Sequence, residues 1–529
     1  MERSWYPVAL GVIMLAVTGC TASATSVHPS AGHGGTFSVA ELEPPSFVPG
    51  QNQGGASDEL NAIFAPLTKF NAQSKLTDVQ AQSVSAAGGG TVWTIKIKPG
   101  WTFHNGEPVT AQSYIDAWNA TAYGPNAWAD NGELSDVVGY PALNPASGQP
   151  TTKVLSGLKA LNATTIQVRL IHPDSQFPLE LSTSAFLPLP KTYFTNPAKW
   201  QSAPIGDGPF EVTGRWQPNK SLSVKRYAAY QGPRPNSDGI VFRIYTSLGT
   251  AYTALQAGQV DITGIGLDTY SAAEKDMPRD VVAFDAPAID YLGFPIYNSY
   301  FKNKLIREAI SLAIDRPAIT KALFAGLLTP ATSILPPAEA GAPANVCPYC
   351  RYDPALARTL LAEGGGWKGP LVLWYPSGAG YDQEEQAIAN QLTQNLGIKP
   401  ITFNAPPIAS YFENVLPGKK VTDGIYRGHW GAYFPSMQNT LASLFETTGA
   451  GYAETYYSTP ALTRVIEAGN GASSLTASQA YYRRAEQMIM NAFPVVPLFY
   501  ARYVYVHGPA VSHVIIDVNG IELSDVILT

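Results

Sequence analysis

The sequence predicts an α/β protein of two or three domains, and three observations carry that expectation. The 529 residues are too many for one ordinary core. Residues 371–403 read strand, helix, strand, the alternation of a lobe with helices packed on a sheet. Residues 93–119 (WTIKIKPGWTFHNGEPVTAQSYIDAWN) give in order a strand, a turn, a short strand, a cap and a helix. Composition agrees, since 45% hydrophobic and 14% charged residues suit a folded chain rather than a disordered one. A net charge of −6 offers no basic surface and argues against nucleic acid as a partner.

In chain order, Arg3 precedes an apolar run over 8–17 that is too short for a permanent bilayer span but long enough for a signal core. It ends in Val17-Thr18-Gly19-Cys20, which resembles a bacterial lipobox and implies a signal peptide over 1–19 with Cys20 carrying lipid. Residues 20–34 then read as a flexible tether. A first strand is expected at 35–39, a Pro/Gly/Asn-rich loop at 43–55 that includes Asn52, and a helix from about 57 with Leu60, Ile63 and Phe64 on one face. Trp93, Ile95 and Ile97 alternate with Thr94, Lys96 and Lys98, the pattern of a half-buried strand. Pro99-Gly100 turns the chain, Trp101 and Phe103 form a second alternating pair, Asn105-Gly106 turns it again, and Thr110 caps a helix bearing Tyr114, Ile115 and Trp118. Residues 121–150 read as loop and variable insertion, and 165–170 (TIQVRL) as a strand.

Residues 205–216 (IGDGPFEVTGRW) read as a glycine-rich turn feeding a hairpin, and 254–262 as a helix end, a Gly258 cap and a strand start. A buried strand is expected at 291–297 (YLGFPIY), then a helix with Leu305, Ile306, Ala309, Ile310, Leu312 and Ala313. Arg307 and Asp315 read as an ion pair or cap rather than as catalytic groups. Cys347 and Cys350, in VCPYC, lack a nearby His or another body cysteine and read as a small-loop disulfide in an exported chain. Asp353-Pro354 opens a helix, 371–374 is a strand, 383–396 an amphipathic helix, 399–403 a strand, 477–492 a helix and 495–506 an aromatic β segment. Glu384 and Glu385 fall on what the pattern gives as an exposed helix.

Taken together, Trp-x-Phe-x-Asn-Gly-x-Pro-Val-Thr-Ala at 101–111, Gly-x-Gly-Pro-Phe at 206–210, Ala-Leu-Gln-Ala-Gly at 254–258 and Ile-Asp-Arg at 314–316 resemble the oligopeptide/dipeptide-binding family of ABC-importer receptors. So does Tyr-Asp-Pro at 352–354. The resemblance covers essentially the whole chain after the tether. It implies a two-lobe periplasmic-binding-protein fold, type II of the large peptide-binding class, with an extra inserted sub-domain. The implied division is 35–70, 191–290 and 496–529 for lobe I, with 71–190 inserted into it, and 291–495 for lobe II. Residues crossing between lobes would form a hinge.

The resemblance also locates a ligand cleft. Residues 424–445 align with the family segment whose Trp-x-Ala-Asp-Tyr core pairs with peptide backbone and whose Asp holds the α-ammonium. Here Trp430, Gly431 and Ala432 are kept, Tyr433 stands at the Asp position, and His429 precedes Trp430. Asn52 and Tyr291 are the other expected cleft residues. A phenol does not pair with ammonium as a carboxylate does. The reading is therefore a receptor for oligopeptides, with a modified peptide, haem, a nickel chelate or an oligosaccharide as alternative cargo, or a non-transporting regulatory lipoprotein on the same fold. The implied partners are permease and ATPase subunits and, through Cys20, the outer face of the cytoplasmic membrane; the receptor itself would be a monomer. The His residues are scattered, and no H-E-x-x-H, G-x-S-x-G or GxxxxGK[ST] occurs, so neither catalysis nor a metal or other cofactor is expected. A lone His429 reads as a hydrogen-bonding wall residue.

Overall fold

The computed structural model describes residues 34–52, 57–378, 380–449 and 451–529; the expected signal peptide, Cys20 and the tether up to residue 33 lie outside them. Its frame is one eleven-stranded mixed sheet. Across it run Ile401–Asn404, Leu371–Trp374, Gly424–Gly431, Val281–Gly293, Val495–His507, Ile262–Gly264, Thr36–Glu41, Gly239–Ile244, Ser221–Arg226 and Phe210–Val212, while Thr329–Pro330 pairs additionally with Val495–His507. Helices cover the sheet, and two cores result. One gathers Phe37, Ile63, Trp118, Phe186, Ile240 and Val526. The other gathers Ile289, Ile310, Ile388, Leu441, Ile489 and Phe499.

Val281–Gly293 and Val495–His507 join the cores. Each has thirteen residues, and they pair antiparallel. At 3.3 Å per residue each spans about 40 Å, enough to run through both lobes. One half of the ladder, Val281–Asp285 on Arg502–Val506, lies beside Ile262–Gly264; the other half, Ile289–Gly293, lies beside Gly424–Gly431. Between the halves the register breaks, and residues 286–288 oppose Ala501 alone. Pro287 has no N–H to give a ladder, so a bulge here follows from the sequence.

The inserted unit is a four-stranded antiparallel sheet, ordered Ala81–Ala87, Val92–Ile97, Thr165–Arg169, Leu158–Asn162. The helix Ala111–Ala122 packs on it, opened by a capping box in which Ser113 N donates to Thr110 Oγ1 (3.3 Å) and Thr110 N donates to Ser113 Oγ (3.2 Å). Trp101 and Phe103 do not form the expected strand. Two turns within a few residues leave room for a single bridge, Thr102 to Pro108, closed by Phe103 N donating to Glu107 O at 2.8 Å. The strand expected at 291–297 instead begins at Val281 and stops at Gly293, where Pro295 cannot continue the ladder.

The turn at 205–210 is held backbone to backbone. An added Cβ on Gly206 would fall 2.2 Å from Ile63 O, and one on Gly208 would fall 2.5 Å from Ile63 C. Asp207 between them accepts from Ala65 N (3.1 Å) and Gln80 Nε2 (2.6 Å). The same turn grips His104: Gly206 N donates to Nδ1 at 3.2 Å, which makes Nε2 the protonated nitrogen, facing Gly208 O at 3.2 Å. Burial lowers the imidazole to about 4.

Arg307 donates to the carbonyls of Phe301, Ala492 and Phe493, closing the end of the helix Leu475–Ala492, and Asp315 caps the helix Arg316–Leu323. Cys347 and Cys350 are joined by a disulfide. No helix among the described residues is long and apolar enough to cross a membrane.

Candidate ligand-binding site

The strand Gly424–Gly431 alternates its side chains between two faces. Arg427 and His429 share one face; Tyr426, Gly428 and Trp430 share the other. Gly428 is required by the second face, because the ring of its cross-strand partner Tyr291 lies where a Cβ would be, 2.2 Å from Cε2. Tyr291 is fully enclosed, and its hydroxyl donates to Glu454 at 2.8 Å. It therefore does not line the cleft as expected; it supports the cleft from behind, through Glu454. Glu454 also accepts from His429 N at 3.2 Å, and burial pushes its carboxyl up to about 7.

On the first face Arg427 is 0% exposed and meets three carboxylates: Glu384 at 2.5 and 3.0 Å, Glu385 at 3.3 Å and Asp290 at 3.2 Å. Its guanidinium also lies 4.3 Å from the centre of the Tyr381 ring. Glu384 and Glu385, expected on an exposed helix face, are each 1% exposed. They occupy the first turn of the helix Asp382–Leu396, whose N-terminus faces this strand and favours negative charge. Burial pushes Asp290 upward, but Arg427 and then His429 outweigh it and hold that carboxyl below its usual range. Asp290 accepts from His429 Nδ1 at 2.7 Å. This fixes the imidazole, whose side chain stays 42% exposed with Nε2 unbonded among the described residues. Burial disfavours the imidazolium, yet Asp290 outweighs it and raises the group above its usual value.

Past Gly431 the chain turns. Ala432 N donates to Pro287 O (2.9 Å), tying this turn to the bulge between the lobes, and Tyr433 N donates to Asn439 Oδ1 (3.2 Å). The Trp430 and Tyr433 rings lie 5.9 Å apart. Trp430 is 7% exposed, seats Cε3 and Cζ3 against Gly451, and directs its opposite N–H edge away from that loop; Nε1 has no partner among the described residues. The neighbouring strand Leu371–Trp374 pairs only as far as Tyr426. Beyond it the outward peptide groups of His429 and Gly431 have no strand partner among the described residues, where His429 N alone is taken, by Glu454.

The turn that carries Asn52 is tied to its own lobe, and no contact brings it to Trp430 or its neighbours among the described residues. Asn52 Nδ2 donates to Val48 O (2.8 Å) and Pro49 O (3.2 Å), closing the 3₁₀ turn Pro49–Gln51, and Gly50 O accepts from Asp130 N at 3.1 Å. Contacts between the lobes complete the site. Buried Gln176 accepts from Ser436 Oγ (2.8 Å) and donates to Ser478 Oγ (3.2 Å), Ser175 N donates to Asn470 O (2.8 Å), and Phe70, Leu179 and Phe434 pack together beside Tyr433.

Trp430, Gly431, Ala432, Tyr433 and His429 are thus one continuous corner at the lobe junction. Sequence reasoning missed Asp290, Glu384, Glu385, Arg427, Glu454 and Gln176. The available signal was a single charge inside each of two apolar strands, Asp290 in AIDYLGF and Arg427 in IYRGHW, since a charge so placed needs a buried partner.

Residues 76–452 match the sequence profile described as bacterial extracellular solute-binding proteins, family 5 Middle. The glutathione-binding protein GsiB of Escherichia coli strain K12 is 25% identical over 516 residues, 95% of this chain and 94% of its own length. Among solved structures, the Escherichia coli murein tripeptide binding protein MppA superposes with a TM-score of 0.75 at 20% identity, over 94% of this chain and 99% of that one. Haemophilus influenzae OppA in complex with RPPGFSPFR superposes with a TM-score of 0.74 at 18% identity, over 94% of this chain and all of the other.

Proposed function

Because the chain belongs to the bacterial extracellular solute-binding proteins of family 5, we propose that it is the receptor of an ABC importer and that its cargo is oligopeptide. The unpaired edge at His429–Gly431, beside the Trp430 ring, is the observation that carries the peptide reading. Every peptide offers the same backbone donors and acceptors, so a free strand edge binds many sequences, while side-chain contacts stay few. The similarity to binders of glutathione, murein tripeptide and a nonapeptide lends support.

In this reading the two long strands are the hinge, with lobe boundaries inside them at residues 286–288 and at Ala501. The expected boundaries at 290/291 and 495/496 fall within the same strands. Cargo joins the edge, the lobes shut over it, and the contacts of Gln176 and Ser175 add to the closed state. Cargo moves that equilibrium only by binding the closed form more tightly. The closed receptor, a monomer, then docks on a permease whose ATPase subunits supply the energy. Lipid on Cys20 keeps it at the outer face of the cytoplasmic membrane, and normal membrane fractionation of Cys20→Ser would contradict this.

Trp430→Ala tests the placement. Calorimetry with a tetra-alanine peptide is expected to show a loss of about 2–4 kcal/mol, the range of a buried aromatic anchor, in a protein that still folds but melts at a lower temperature, because the ring is packed in the core. Unchanged affinity would reject the site.

A further inference from the structure

The helix Ala111–Ala122 turns Tyr114 and Trp118 toward the core, and its opposite side opens on a cavity. Asp116, Asn119 and Ala120 of the helix, with Tyr123 just past its end, line a space of about 520 Å³ that shares no residue with the corner at Trp430. Small-molecule sites occupy about 300–1,000 Å³. Lys153 and Val154, ahead of the strand Leu158–Asn162, add one wall, and Lys191 and Phe194, on the helix Lys191–Thr195, add another. Val154 and Phe194 are 57% and 41% exposed, so apolar surface stands open at the rim. Asn119 is the buried polar residue of the lining, at 8% exposure. Its Oδ1 accepts from Leu155 N at 2.7 Å, which fixes the amide and leaves Nδ2 with no hydrogen bond among the described residues. Lys153 Nζ lies 5.3 Å from the centre of the Tyr123 ring, and Lys191 gives its backbone N–H to Glu107 Oε2 at 2.9 Å. Neither ammonium pairs with a carboxylate among the described residues. Asp116, the one carboxylate in the lining, has Oδ1 taken by Gln112 Nε2 (2.7 Å), and Asn126 has Nδ2 given to Ala120 O (2.8 Å). Asp116 Oδ2 and Asn126 Oδ1 are left as acceptors. Two lysines against one aspartate give this lining an excess of one positive charge, on a chain whose net charge is −6.

We propose that this cavity on the inserted unit is a second binding site, and that it takes a sugar bearing one carboxylate. The carboxylate accepts from Asn119 Nδ2 and pairs with Lys153 and Lys191, groups that otherwise lack an acceptor. A single negative charge balances the lining, whereas a doubly charged phosphate exceeds it. Hydroxyl groups donate as well as accept, so those of a sugar serve Asp116 Oδ2 and Asn126 Oδ1, which a bare carboxylate leaves unpaired. The C–H faces of the ring cover Val154 and Phe194 and remove that apolar surface from water. The inference stands apart from the peptide reading, because the cleft at Trp430 contributes nothing to this lining.

The carboxylated sugar can be free or part of a glycan chain. The test is ligand-observed NMR titration of the full protein with four probes: glucuronate, a hyaluronan tetrasaccharide that carries glucuronate within a chain, glucose and lactate. Glucose keeps the ring without the charge, and lactate keeps the charge without the ring. The wild type is expected to bind at least one glucuronate probe about tenfold more tightly than glucose or lactate, the size of one charge-assisted bond. Which of the two glucuronate probes is favoured identifies the source of the sugar. The double variant Lys153→Gln/Lys191→Gln changes only exposed side chains. It is expected to keep the wild-type thermal transition and its affinity for tetra-alanine while losing the preference for the carboxylated sugar. Equal binding of glucose or lactate, a preference that survives in the double variant, or no binding of either glucuronate probe would each overturn the proposal, and none of these results bears on the peptide cleft.

Discussion

At the scale of residues, the cleft rests on a charge that never reaches the ligand. Arg427 is enclosed by Asp290, Glu384 and Glu385, and Asp290 passes its orientation on to His429. Taking the cation away would leave buried carboxylates without a partner. Arg427→Met is therefore expected to destabilise the protein by about 3–5 kcal/mol, read as a lower denaturant midpoint at unchanged slope. A loss below about 1 kcal/mol would mean the network is dispensable. The sequence showed Trp430 and its neighbours because they are contiguous. It hid Glu384 and Glu385 because a paired carboxylate on a polar helix looks the same whether it faces water or an arginine more than forty residues further along the chain.

At the scale of elements, two separate glycine- and histidine-bearing stretches explain each other. The Gly206–Gly208 turn needs glycine because Ile63 and Phe64 backbone fills the space, and it fixes His104 of the opening stretch through both ring nitrogens. Gly208→Ala is expected to cost about 1–3 kcal/mol, typical of forcing an extra methyl into a packed contact, and thermal denaturation measures it. A second element-level claim concerns closure. Gln176 spans the lobes with both ends of its amide, so Gln176→Ala should speed peptide release in stopped-flow experiments while leaving the thermal transition within a few degrees; an unaltered release rate would remove it from the closing contacts. Capped helices such as Ala111–Ala122 and Pro354–Glu363 were legible, since caps are local. Of the two thirteen-residue strands, Val495–His507 was legible almost to its end, whereas Val281–Gly293 was legible only from residue 291, because its first half is mixed in polarity and gains its partners from distant segments.

At the scale of the whole molecule, the two-lobe α/β form followed from block order, whereas the relation of the lobes did not, being set by pairings hundreds of residues apart. The buried carboxyls give the molecule a pH signature. Burial pushes Asp207, Glu454 and Glu486 to about 7, from 3.8 for an ordinary aspartate and 4.5 for a glutamate. Between those limits the folded chain holds protons the unfolded chain has lost. Stability from these groups is full below the lower limit and disappears as pH rises through 7. His104 acts in the opposite sense: lowered by burial from 6.5 to about 4, its contribution is full above 6.5 and falls as pH drops toward 4. Above pH 6.5 the carboxyls therefore act unopposed by His104. The melting temperature is expected to fall by a few degrees between pH 6.5 and 8, and a rise over that range would contradict these assignments.

The central claim is that the edge at Trp430 receives peptide backbone. Native mass spectrometry of the gently purified protein tests it most directly, since a receptor that reads the main chain retains many sequences. A ladder of co-purifying peptide masses, lost in Trp430→Ala, is the predicted result. A single non-peptide mass, held equally well by the variant, would contradict it.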